Sequence, residues 1–202
     1  MPRISDERRA ARRLQILDAA WTCFQGNGLH ATSMDDIIRA SDLSAGAVYS
    51  YFPSKEELIH DAVVTSLGGL RELVGPILVA RPAPPPGELL RAITALVADF
   101  TGRETYDLRR VALLGWSEAQ RSERLRDTMR GFYGAFRLGL VEVAESWRAD
   151  GRLPDGAAPD AVAKLFLSAI LGFVVQSALL GDVAPPDLGA GLRDLTRDAG
   201  AA

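Results

Sequence analysis

Cysteine is almost absent from this chain, and so are histidine and lysine: one Cys, two His and two Lys stand against 21 Arg in 202 residues. With Cys23 alone, an intrachain disulfide and a cysteine-built zinc site are excluded. His30 and His60 lie in different segments and make a poor metal pair, so neither a metal nor a cofactor is expected. Long apolar runs are also missing. The nearest approach to a membrane span, Leu165–Leu180, is interrupted by Ser168, Gln176 and Ser177, short of the roughly 18 uninterrupted apolar residues a transmembrane helix needs. The first residues are charged and carry no apolar core of a secretory signal, so a cytoplasmic location and no membrane partner are expected. The formal net charge of −3 excludes a global basic field, and any affinity for nucleic acid must come from a local patch. No stretch sustains the alternation of a β-strand, and neither G-x-S-x-G nor H-E-x-x-H occurs.

What is present is helical spacing from end to end. Acidic Asp6 and Glu7 suit the start of a helix over 7–26, with an apolar face of Leu14, Leu17, Ala20, Trp21 and Phe24 and a stop at Gly26-Asn27-Gly28. Thr32 with Asp35 has the spacing of a capping box for a short helix 33–41. Ser44 caps another at 45–51, and Ser54 opens a long helix at Lys55 that should end by Gly75-Pro76. Four prolines in Arg81–Gly87 exclude a helix there. Helices follow at 88–102, 105–120, 122–150, 160–181 and 187–198. The expected fold is all-α: a three-helix N-terminal head and a C-terminal helical bundle. The division falls at residues 1–54 and 55–202, with helix 55–75 joining the two.

The charge gradient has the sign of an N-terminal DNA reader. Residues 1–13 hold five arginines against two acids, and residues 1–55 sum to +1 while 56–202 sum to −4. Arg8, Arg9, Arg12 and Arg13 fit either a solvated helix face or a phosphate-contacting arm. Within Thr32–Leu58, two short helices joined by Ser41-Asp42-Leu43 form a helix-turn-helix, with Met34, Ile37, Ile38, Leu43, Val48 and Phe52 spaced to fill a small core against Trp21 and Phe24.

The pattern Thr32, Ile37, then Ser44, Gly46, Val48, Tyr49, Tyr51, Phe52, then Ser54, Lys55, Glu56 and Leu58, preceded by Leu17, Ala20, Phe24 and Gly28, closely resembles the head of TetR-family regulators over residues 10–60. It departs from the family at Asp42, Ser41, Ile38 and Ser50, which bears on which operator is read. The resemblance implies a DNA-binding transcriptional regulator whose recognition helix is Ser44–Tyr51. In that reading Gly46 lets the backbone approach DNA, and Ala45, Ala47 and Ser50 face the groove. Thr32, Ser33, Ser44, Tyr49, Tyr51 and Lys55 are the phosphate partners.

The remaining residues divide between core and effector site. His60, Phe100, Trp116, Phe132, Phe136 and Phe173, with polar Gln176, are the candidates for contact with a small-molecule effector. Helical aromatics are as readily core, and Gly131, Gly134 and Gly139 imply close helix approach, a kink or room for a ligand. Segment Asp160–Gly181 is apolar nearly all round, more than one internal face requires. The resemblance implies that it and the following helix form the interface of a homodimer, with Phe166, Ile170, Val174 and Leu180 as contacts. It further implies a repressor released from a pseudo-palindromic operator on double-stranded DNA by an apolar or amphipathic ligand. Two other classes stay open: a helical-bundle enzyme or carrier, for which no convergent catalytic set is found, and an effector-free DNA-organising protein of the same fold.

Overall fold

The computed structural model describes residues 6–102, 104 and 106–197, among which there are nine α-helices and no strand. In chain order these are α1 (Asp6–Ala31), α2 (Met34–Ser41), α3 (Ala45–Tyr51), α4 (Lys55–Val79), α5 (Pro86–Thr101), α6 (Leu108–Glu118), α7 (Glu123–Ala149), α8 (Pro159–Leu179) and α9 (Pro185–Arg197). They group into two compact units. One gathers the described residues up to Ser66 with those between Arg103 and Leu125; the other gathers Leu67–Gly102 with the described residues from Arg126 onward. Arg3 lies outside the described residues.

In the first unit, α1 is broken at Gly28, whose φ of 79° and ψ of 166° leave the helical region. A side chain at that positive φ would strain the backbone, so glycine is required. The buried face of α1 is Ile16, Leu17, Ala20, Trp21 and Phe24. Leu14, expected inside, is 48% exposed, whereas Leu17, Ala20, Trp21 and Phe24 are buried as expected. Ile37 of α2, Val48 of α3, Phe52, and Leu58 and Ala62 of α4 complete this core. Met34, Ile38 and Leu43 are half-buried at its edge.

Helix α6 belongs to this same unit, which the sequence did not suggest. Tyr106, just before it, rests its ring 5.4 Å from that of Trp21 and donates its hydroxyl to Asp18 at 2.7 Å. The Asp107 N–H donates to the Gln25 side chain. Asp107 also N-caps α6 and pairs with Arg109 at 2.8 Å. At the far end, Glu118 and Arg121 both reach the His30 ring, at 3.3 and 3.0 Å.

In the second unit, α4 does not stop at Gly75-Pro76 but runs to Val79 with Pro76 inside it. The ring removes one N–H from the ladder, and Glu72, whose carbonyl loses that donor, is an exposed residue. Gly69 lies in close contact with α5, where a Cβ would come 2.8 Å from the edge of the Phe100 ring. Pro86 begins α5, where its missing N–H costs nothing. The proline-rich approach to it is held by α7: the Trp147 indole donates to the Pro84 carbonyl at 2.8 Å, and Arg152 donates to the Ala83 carbonyl at 2.8 Å. Trp147 is 1% exposed and its ring lies 5.2 Å from Phe166 of α8.

Both α4 and α8 are long and apolar enough, by length and mean hydropathy (1.4 and 1.9), to cross a membrane. The interruptions at Ser168, Gln176 and Ser177 therefore do not lower α8 below that composition. Its inward stripe of Ala163, Phe166, Ile170, Phe173 and Val174 is nevertheless buried within the unit.

Helices α5 and α9 approach each other closely. A Cβ on Gly87 would lie 2.9 Å from the Gly189 carbonyl oxygen, and a Cβ on Gly189 would lie 2.7 Å from the Gly87 carbonyl oxygen. Backbone atoms on both sides leave nothing flexible to yield. Gly189→Ala should therefore cost about 1–3 kcal/mol of stability by overpacking. Gly191→Ala on the same helix, where a Cβ meets nothing within 4 Å, should be neutral or slightly stabilising. Thermal unfolding of the two variants, compared with the parent, checks the pair.

Candidate nucleic-acid interface

The α2–α3 segment is built by local polar chemistry laid over the small core. Ser33 is the N-cap of α2: its Oγ accepts from the Asp36 N–H at 3.2 Å, and its own N–H donates to Asp36 Oδ2 at 2.9 Å. The capping box is thus Ser33 and Asp36, one residue on from the expected Thr32 and Asp35. Thr32 is 1% exposed, and its hydroxyl donates inward to the Gly28 carbonyl at 2.8 Å and the Cys23 carbonyl at 3.2 Å. It seats α2 on α1, and its side chain does not face outward as a phosphate partner must.

The turn between the helices passes through Asp42, at φ 53° and ψ 34°. This is the left-handed conformation that Asp tolerates better than most residues. Gln15 of α1 donates to the Ser41 carbonyl at 2.7 Å, tying the turn to the first helix. Ser44 then caps α3, accepting from the Ala47 N–H at 3.2 Å.

On the outer side of α3, Ser44, Ala45, Gly46, Tyr49 and Ser50 are exposed, and Ala47 and Tyr51 are half-buried. Tyr49 is a large side chain at 45% exposure. Ser50 turns its hydroxyl back to the Ala47 carbonyl at 2.6 Å, which shortens its outward reach. Gly46 has no positive φ, and a Cβ there would meet nothing within 4 Å; the chain itself does not need a glycine at this place. Arg9 lies over the Tyr51 ring at 5.9 Å. Ser33 is exposed beside this surface, and Lys55, half-buried, donates its ammonium to the His30 carbonyl at 3.0 Å and the Thr32 carbonyl at 2.7 Å. Two of its three N–H groups are so engaged.

Several contacts here carried no signal in the sequence. Gln15, Asp61 and Tyr106 act across separations of 26, 48 and 88 residues, where local spacing says nothing. Arg13, one of four arginines with two open roles, donates to Asp61 at 2.8 Å and Thr65 at 3.3 Å.

The effector candidates are distributed over both units. His60 and Trp116, half-buried, belong to the first. In the second, Phe132 and Phe136 come together at 6.4 Å, with Tyr133 5.2 Å from Phe132. Phe100 covers Gly69, and Phe173 is 1% exposed. Gln176 points outward, and its neighbour Ser177 instead buries a hydroxyl that has no hydrogen-bond partner. Gln176 continues the exposed i, i+4 series of Asp160, Lys164 and Ser168, and Ser177 lies off it. Of the three α7 glycines, Gly139 is a close approach, since a Cβ would lie 2.9 Å from Leu78, whereas Gly131 and Gly134 have open space.

Three of the four expected dimer contacts are corrected. Phe166, Ile170 and Val174 are 5%, 4% and 9% exposed and form the inward stripe of α8. A helix that is apolar all round does not reveal which side its own chain covers. Leu180 is 66% exposed, and Leu165 and Leu179, at 61% and 68%, lie on the outer side.

A model of bacterial regulatory proteins of the tetR family matches residues 16–62. A second model, the C-terminal part of BetI-type transcriptional repressors, matches residues 86–197, more than half of the chain. The chain belongs to the TetR family of bacterial transcriptional regulators. Within that family its C-terminal portion is of the BetI type. The regulator BetI of Rhizobium meliloti is 32% identical over 128 residues, 62% of this chain and 60% of that protein. The chain matches less than two thirds of the length of its curated relatives. Among solved structures, GusR of Salmonella enterica has a TM-score of 0.72 at 24% identity, covering 96% of both chains. A transcriptional regulator of Saccharomonospora viridis in complex with choline has a TM-score of 0.74 at 20% identity, covering 93% of this chain and 96% of that one. At these identities the likeness to the solved structures is one of fold.

The capping box gives the head an acid-sensitive joint. Hydrogen bonds from the Ser33 hydroxyl and backbone N–H hold the Asp36 carboxyl below its ordinary value of 3.8. A depressed folded-state value means the stabilisation is complete above the unfolded value and is lost as pH falls through the folded one. Unfolding followed between about pH 5 and pH 2 should show stability declining with acid, and Asp36→Asn should flatten part of that decline. If the Asp36→Asn variant kept the parent's full acid sensitivity, the box would drop out of the account.

Proposed function

We propose that this chain is a homodimeric, cytoplasmic, ligand-responsive repressor. In this reading residues 1–54 bind double-stranded DNA, residues 55–202 bind the effector and the second subunit, and α4 connects them. The observation that carries the DNA-binding role is Gly46. It stands exposed at the tip of α3, and neither its backbone angles nor its neighbours within the chain require a glycine. A missing Cβ at such a place suits close approach by something from outside, and the short outer residues Ala45, Ala47 and Ser50 suit the floor of a major groove. Ser33, Ser44, Tyr49, Tyr51 and Lys55 surround it as hydrogen-bond donors to phosphate. With few long base-reading side chains, DNA shape and the pairing of half-sites about 34–36 Å apart carry much of the specificity.

Dimerisation is assigned to the outer side of α8, where Ala161, Leu165, Ser168, Gly172 and Leu179 recur near heptad spacing, and to Leu195 of α9, 78% exposed. The effector is assigned to the bundle, near the half-buried Phe100, Phe132 and Phe136 and the orphaned Ser177 hydroxyl. Solved neighbours of this fold hold choline and triclosan, which supports a small-molecule effector. Its binding favours a conformation with altered head spacing and so releases the operator.

The DNA reading is tested by unbiased selection of double-stranded sites at low salt, where a pseudo-palindrome should emerge. On the selected site, Lys55→Ala should weaken binding about equally for all sequences and lower the salt slope by about 1. Recovery of no preferred site would sink the reading, and an unchanged slope would remove Lys55 from the phosphate contacts. The interface assignment makes a separate prediction. Leu165→Glu combined with Leu179→Glu should yield monomers in sedimentation, because two charges would be buried per subunit; a persistent dimer would place the interface elsewhere.

A further inference from the structure

We propose that Arg13 is a positioning residue that pins the end of the recognition helix to α4, and that it is not a phosphate contact. This rests on the DNA-binding reading for its consequence and on geometry for its substance.

Arg13 sits on α1 with its guanidinium engaged on three sides. One terminal nitrogen donates to Asp61 Oδ2 at 2.8 Å, the other to the Thr65 hydroxyl at 3.3 Å, and the cation lies 5.7 Å from the centroid of the Phe52 ring. Asp61 and Thr65 are one turn apart on α4, so they present a paired acceptor to a planar fork. Phe52 is the C-cap of α3 and is 1% exposed. One turn earlier on α1, Arg9 lies over Tyr51 at 5.9 Å. Two arginines at i and i+4 therefore cover two consecutive aromatic residues at the end of the recognition helix, and the second of them is gripped from α4.

Helix α3 has seven residues and cannot fix its own direction. Its start is capped by Ser44, while its end is held by Phe52 and by whatever holds Phe52. The core buries that ring, and Arg13 adds a tie from it to α4. It transmits the position of Asp61 and Thr65 to the α3 C-terminus through a stacked cation, so α3 is seated according to where α4 lies. Two of its five N–H groups are so engaged, and Asp61 already balances its charge.

The two roles give opposite signs for one substitution. Asp61→Asn removes a negative charge from the head. If Arg13 were a phosphate contact, that change would free the guanidinium and tighten DNA binding. With Arg13 as a pin, the same change loosens α3 and weakens binding. The experiment measures operator affinity and its salt dependence for the full-length Arg13→Ala, Asp61→Asn and double variants, using the site recovered by selection. Each single variant should lose about three- to tenfold in affinity with an unchanged salt slope. The double variant should be no weaker than the worse single within about a factor of two. Native-state amide exchange in the absence of DNA should show faster exchange at Val48 and Phe52 in both singles, with α2 unchanged; a general loss of head stability would raise exchange throughout and overturn the proposal. Tighter binding by Asp61→Asn, or a salt slope lowered by about 1 in Arg13→Ala, overturns it too, as does unaltered exchange at Phe52. The exchange measurement needs no DNA, so the pin is tested even if selection recovers no site and the DNA reading itself fails.

Discussion

Helices of eight and seven residues, the lengths of α2 and α3, are too short to persist on their own in water. Everything the head presents outward depends on how they are seated on α1 and α4. Ile37, Val48 and Phe52 are buried almost completely and supply the apolar part of that seat. The direction comes from polar ties at the ends: Ser33 with Asp36, Gln15 with the Ser41 carbonyl, Ser44 with the Ala47 N–H, and Lys55 on the carbonyls of His30 and Thr32. The first three meet backbone groups that short helices leave unsatisfied at their termini, and Lys55 meets carbonyls at the end of α1 and just after it. Caps that stabilise are here also caps that aim.

The same arrangement explains which parts of the structure were legible in the sequence. Helix α3 was readable to the residue, because Ser44 and the break at Phe52-Pro53 are local chemical signals. The start of α2 was missed by one residue, since Thr32 and Ser33 both offer a hydroxyl at capping distance. The burial of Thr32 decides between them, and burial is a property of the assembled head. The Ser54 cap places α4 correctly at its start, but Gly75-Pro76 does not mark its end. A proline inside a helix is tolerated when the carbonyl it orphans faces water, and exposure is not written in the local pattern.

Orientation was the least legible quantity. Helix α8 is apolar nearly all round, and its polar residues Asp160, Lys164, Ser168 and Gln176, all exposed, mark the outer side only thinly. The structure turns Phe166, Ile170, Phe173 and Val174 inward, with Phe166 against Trp147, and leaves Leu165 and Leu179 outside. The α5–α9 contact was equally silent. Gly87 and Gly189 are separated by about half of the chain, and only their meeting explains why neither carries a side chain.

Helix α6 carries a consequence for how such regulators can be recombined. Tyr106 covers Trp21, the Asp107 N–H donates to Gln25, and Glu118 and Arg121 close on His30. Cutting the chain after the first three helices would strip an indole of its cover and leave a histidine and a glutamine without these partners. A chimera that borrows this reader must therefore bring residues 106–121 with it. The transferable module is discontinuous in sequence although it is contiguous in space.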